Sequence, residues 1–78
     1  MNPRTSATRE VLDIGCGLRK EGTVNVDIDV KVRPDVRCDM YNLPFRENIF
    51  HEVILTQVLE HTSNPEKLLK EYWRVTTT

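Results

Sequence analysis

No apolar run in the sequence approaches the length needed to span a membrane, and no block of like charge interrupts it. Eleven basic residues stand against twelve acidic ones, so nothing points to an electrostatic nucleic-acid or membrane partner. Cysteine is scarce. Cys16 and Cys38 are the only two, twenty-two positions apart, outside any Cys-x-x-Cys or His-x-x-x-His spacing that would suggest zinc, and they read as isolated thiols. The first nine residues, Met1 to Arg9, lack the apolar core of a secretory signal; they read as a disordered lead, and a cytoplasmic location is the default expectation. The remainder, 10–78, makes one domain. A chain this short buries only about 60% of the surface its unfolded form exposes, so its stability is expected to be marginal.

What is present is a succession of short apolar runs. Glu10 to Ile14 runs into Gly15-Cys16-Gly17, the pattern of a buried strand entering a tight turn. Thr23 to Val30 alternates, with Val24, Val26, Ile28 and Val30 on one face and Asn25, Asp27 and Asp29 on the other, and is expected to be a second strand. Val36 to Met40 is a weak third strand, Asn42 to Asn48 a loop, and Glu52 to Thr56 a fourth strand. Ser63 or Asn64 can cap a helix that begins with Pro65 and Glu66 and runs to about Val75. Leu68, Leu69, Tyr72 and Val75 form its packing face, with Trp73 beside them. The closing Thr76-Thr77-Thr78 reads as a frayed end.

The informative stretch is Val11-Leu12-Asp13-Ile14-Gly15-Cys16-Gly17, followed by Asp27 at the far end of a second apolar strand. In open α/β sheets ligands bind beyond the carboxyl ends of the strands, where glycine lets the backbone approach and an acidic residue accepts hydrogen bonds from ribose hydroxyls. Asp27 is the candidate for that ribose role. A dinucleotide would put a pyrophosphate on the glycine turn, where Asp13 adds unfavourable charge. S-adenosylmethionine carries an ammonium, a sulfonium and no phosphate, and is compatible with acidic strand ends. Gly-x-Gly by itself is equally well a structural turn.

Four blocks together resemble class I S-adenosylmethionine-dependent methyltransferases of the branch with an Asp-x-x-x-Leu-Pro-Phe loop. They are Val11 to Gly17, Val26-Asp27-Ile28-Asp29, Cys38-Asp39-Met40-Tyr41-Asn42-Leu43-Pro44-Phe45, and Val58-Leu59-Glu60-His61. The resemblance implies an α/β, Rossmann-like sheet of about four parallel strands in the order 3-2-1-4 with a C-terminal amphipathic helix. It implies that Asp13 and the backbone of Gly15, Cys16 and Gly17 face the methionine part, and that Asp27 binds the ribose. Ile28 would lie against adenine, Asp39 would accept its amino group, Met40 would add backbone and apolar contact, and Gln57 would border the methyl-donor pocket. Asp39 is alternatively a turn residue that bonds its own backbone, Ile28 is alternatively core, and His51 and His61 carry no assigned role.

Two departures from the family pattern shape the functional expectation. Gly15 to Gly22 is eight residues, whereas a parallel crossover with its helix takes at least about 10–12, so the usual first helix is not expected. Arg19 also stands where many relatives have a third glycine. In addition, the sequence is expected to correspond to a truncated, cofactor-side portion of such enzymes, so no general base is assigned and the methyl acceptor is unknown. The alternatives are a non-catalytic module that binds the adenosyl cofactor or a partner protein, and an inactive gene fragment. The fourth strand carries neither Pro nor Lys from Val53 to Thr56; as an open edge it is expected to support a homo-oligomer.

Overall fold

The structure, a computed structural model, describes residues 9–55 and 58–77. Residues 1–8, nearly all of the lead expected to be disordered, lie outside the described residues, as do Thr56, Gln57 and Thr78. The strands are β1 (Val11–Ile14), β2 (Val24–Asp27), β3 (Val36–Arg37) and β4 (Glu52–Ile54). They pair in parallel throughout, in the order β3-β2-β1-β4, and helix α1 (Pro65–Val75) follows.

Register separates the two faces of the sheet. Leu12 lies beside Val24 and Val53, and Ile14 beside Val26, whereas Asp13 lies beside Asn25 and Ile54 on the opposite face. The first face is the core: Leu12, Ile14 and Val26 are buried with Leu43, Phe50 and, from α1, Leu68 and Val75. Asn64 caps α1 by accepting the Lys67 N–H at 3.2 Å, while Pro65 and Glu66 suit the first turn. The packing stripe is narrower than the sequence pattern suggests. Leu69 and Trp73 are exposed, because about 100° per residue carries them round the helix from Leu68 and Val75.

The second face carries the Gly15–Gly22 crossover, which contains turns and no helix, as its length requires. Asp13 and Asn25 are buried beneath it, and its backbone satisfies them. The Glu21 N–H donates to Asp13 Oδ2 (2.8 Å) and the Gly22 N–H to Asn25 Oδ1 (2.8 Å). Asn25 Nδ2 donates to the Gly22 carbonyl (3.1 Å) and to Asp35 Oδ2 (3.0 Å). Gly22 is what lets so short a connection lie against β1: a Cβ there would stand 2.6 Å from the Val11 carbonyl oxygen and 2.9 Å from the Asp13 nitrogen. Among the described residues no buried side-chain polar atom lacks a partner.

Element lengths differ from the sequence pattern. β2, expected to reach Val30, ends at Asp27. There Asp27 Oδ1 accepts the Asp29 N–H and Asp29 Oδ1 accepts the Lys31 N–H, both at 2.9 Å. These local bonds divert the backbone into a 3-10 turn at Val30–Val32, leaving Ile28 and Val30 exposed. β3 stops at Arg37 rather than Met40, and Asp39 Oδ1 then takes the Tyr41 N–H (2.9 Å). Thr76 and Thr77, expected to fray, are held: Thr76 makes a parallel bridge to Phe50, and the Thr77 N–H donates to the Phe50 carbonyl (2.8 Å). Beyond that bridge the outer edge of β4 has no strand neighbour among the described residues. Among those residues no helix is long and apolar enough to cross a membrane.

Candidate functional site

The carboxyl ends of β1, β2 and β3 surround a cavity of about 330 Å³, within the range of small-molecule sites. Its floor is Ile14, Gly15 and Val26; Asp27 and Ile28 form one side, Cys38 to Tyr41 another, and Val58 closes it from beyond β4. The glycine turn is shaped by sterics. Gly15 has φ 66°, and a Cβ on it would lie 2.1 Å from Val58 Cγ1, so the turn and Val58 occupy adjoining space only because the side chain is absent. The Cys16 N–H continues the sheet by donating to the Val26 carbonyl (3.0 Å), and the Gly17 N–H donates to Asp27 Oδ2 (3.0 Å). Asp27 thus holds the glycine turn with one oxygen and the Asp29 amide with the other.

Of the residues singled out in the sequence, Gly15, Asp27, Ile28, Asp39 and Met40 come together as lining of this one cavity. Asp13, Cys16 and Gly17 do not line it. Asp13 is buried under the crossover, where burial first, and Glu21 and Asp27 after it, push its pKa up against the opposing Glu21 N–H bond. Cys16 is buried in the turn, its thiol raised chiefly by burial. Gly17 has open space where a side chain would be. Gln57 lies outside the described residues.

Sequence reasoning did not name Ile14, Val26, Cys38, Tyr41 or Val58 as lining. Cys38 and Tyr41 flank the Asp39-Met40 pair, and that adjacency was the available signal. Val58 had none beyond its place in the fourth block. Burial also raises the Cys38 thiol, with Asp39 and Asp27 adding to the shift, so it serves the wall as a small protonated side chain.

A parallel sheet in this order, a glycine turn closing β1 and carboxylates past β2 and β3 define a Rossmann-like domain with its cavity at the strand carboxyl ends. The chain belongs to the methyltransferase-domain family, whose sequence model matches residues 12–78. No curated protein and no solved structure matches it.

Proposed function

We propose that this domain is the cofactor-binding part of an S-adenosylmethionine-dependent methyltransferase, with the adenosyl group in the cavity and a methyl acceptor of unassigned chemistry. The observation that carries this reading is the bond from the Gly17 N–H to Asp27 Oδ2. A dinucleotide pyrophosphate takes glycine-turn amides and the N-terminus of the following helix. Here the Gly17 amide is already given to a carboxylate, the segment after it is a turn, and Asp39 adds a second carboxylate to the cavity. Phosphate would meet negative charge; ribose hydroxyls, an exocyclic amine and a sulfonium meet acceptors.

In this reading Asp27 uses its remaining lone pairs for the ribose hydroxyls. Ile28, more than half exposed, and Met40 offer apolar surface to adenine, and Asp39 Oδ2 accepts the adenine amino group. The backbone of Gly15, Cys16 and Gly17 adjoins the methionine end, and Asp13 acts there indirectly by anchoring the Glu21 amide and thus the far side of the turn. Gln57 is assigned to the methyl-donor end on family resemblance. When bound, the cofactor supplies an activated methyl group on its sulfonium; these residues bind and orient it. Titration calorimetry with S-adenosylhomocysteine tests the proposal. Wild type should bind, and Asp27→Ala should weaken binding about ten- to a hundredfold, the effect of removing hydrogen bonds to a charged acceptor. Binding of adenine dinucleotides in place of S-adenosylhomocysteine, or equal affinity in the variant, would count against it.

A second copy of the chain is the proposed partner for the outer edge of β4. Support comes from its lack of a strand neighbour past Phe50 among the described residues and from the half-buried, apolar Val53 and Ile54. Sedimentation equilibrium should give a mass above one chain for wild type and a lower mass for Ile54→Lys. A monomer whose mass the substitution leaves unchanged refutes the association.

A further inference from the structure

A hydrogen bond joins Tyr41, on the cavity, to Thr62 in the segment that follows β4. Tyr41 lines the cavity, and its phenolic oxygen lies 2.5 Å from Thr62 Oγ1, with either able to donate. Tyr41 belongs to the connection after β3. Thr62 ends the turn after β4, the same turn that brings Val58 to the cavity and against Gly15. That turn's own backbone bonds are local: Val58 and Leu59 donate to the Leu55 carbonyl, and His61 to that of Val58. The Tyr41–Thr62 bond ties the connection after β3 to the segment after β4.

The tie is held at both ends. Thr62 Oγ1 also accepts the Asn64 N–H (3.1 Å) at the start of α1, and the Tyr41 N–H donates to Asp39 Oδ1 (2.9 Å). Hydrogen bonds from Thr62 and then Ser63 keep the phenol below the ordinary tyrosine range, consistent with an oxygen set among donors. Because Tyr41 fixes Asp39 Oδ1, the direction left to Asp39 Oδ2 depends on where Tyr41 is held.

We infer that Tyr41 is a positioning residue of the adenosyl site, latched by Thr62, which aims Asp39 at the base and slows ligand release. The inference rests on the S-adenosylmethionine reading above. Its test is stopped-flow dissociation of S-adenosylhomocysteine from wild type, Tyr41→Phe, Thr62→Val and the double variant. Each single change should speed dissociation about fivefold, the effect of one net hydrogen bond. The double variant should be slower than the product of the two single effects, since both changes remove the Tyr41–Thr62 bond. Tyr41→Phe should also narrow the preference for S-adenosylhomocysteine over S-inosylhomocysteine, which lacks the amino group; loss of fold stability alone would weaken both ligands equally. Unchanged rates in the single variants, or effects that multiply, overturn the latch. If wild type binds no S-adenosylhomocysteine, the cofactor reading itself fails. In that case amide hydrogen exchange across 58–62 in the free protein still judges the latch: faster in Tyr41→Phe supports it, unchanged overturns it.

Discussion

Gly15→Ala is expected to lower stability by about 3 kcal/mol and to abolish binding of S-adenosylhomocysteine. Two costs add. The φ of 66° at Gly15 is left-handed, which costs an alanine about 1–2 kcal/mol. The new methyl would also fall 2.1 Å from Val58 Cγ1, and overpacking of this kind costs about 1–3 kcal/mol. In a domain of this size each kcal/mol moves Tm by about 4–8 °C, so thermal denaturation should show a drop of about 12–24 °C. Adding Val58→Ala to the variant should restore the packing part and leave the backbone part. A Gly15→Ala protein as stable as wild type would mean that neither the left-handed backbone nor Val58 constrains this position.

Arg74→Met is expected to cost about 2 kcal/mol at neutral pH, and the cost should shrink in acid. Arg74 donates to the Phe45 carbonyl (2.6 Å) and the Leu43 carbonyl (2.9 Å), and grips Glu71 through Nε (2.7 Å) and Nη2 (2.9 Å). Glu71 Oε1 in turn accepts the Leu43 N–H (2.7 Å). Methionine fills much of the volume but takes the arginine's donors from two carbonyls and from a carboxylate whose side chain is only 15% exposed and which keeps only the Leu43 N–H. Hydrogen bonds to charged groups are each worth about 1.5–3 kcal/mol, and the 35% exposure of Arg74 places the net at the lower end because water replaces part of what is lost.

The hydrogen bonds from Arg74 first, and that from Leu43 after them, hold the Glu71 pKa below its ordinary 4.5. A carboxylate depressed in the folded state contributes stability that is full above its unfolded value and is lost as pH falls through the folded one. The gap between wild type and Arg74→Met in urea unfolding should therefore be widest at neutral pH and narrow below 4.5. A gap of constant size would assign the whole effect to the two carbonyls. The clamped Leu43–Phe45 segment continues the Cys38–Tyr41 wall, so affinity for S-adenosylhomocysteine should fall along with stability.

The location of the cavity was legible because apolar runs lead into Gly15, Asp27 and Asp39, and the sheet order 3-2-1-4 was legible only through the family resemblance. Strand lengths were less legible. The alternation from Val24 to Val30 is real, yet Asp27 and Asp29 capture the next backbone amides and turn the chain before Ile28 and Val30 can pair. Composition gave no hint that Thr76 and Thr77 would bond beside Phe50, since threonine has no periodicity to read at a chain's close. Asp13 was the hardest to place: its spacing from Gly15 puts it at a strand end, but whether it faces ligand or backbone depends on the short crossover lying over it. Tyr41–Thr62, separated by 21 residues, and Leu43–Glu71, by 28, are invisible in sequence because each partner is an ordinary polar or loop residue in its own neighbourhood.

The bridge between Phe50 and Thr76 has a consequence of symmetry. Backbone laid along the line of Thr76 and Thr77 runs parallel to β4, whereas a second copy related by a twofold axis presents its own β4 antiparallel. One edge cannot take both. Occupation of β4 by further backbone in the parallel direction and occupation by an identical neighbour are therefore mutually exclusive states. In the association proposed above only the second depends on concentration, so dilution should free the edge without altering any bond within the domain.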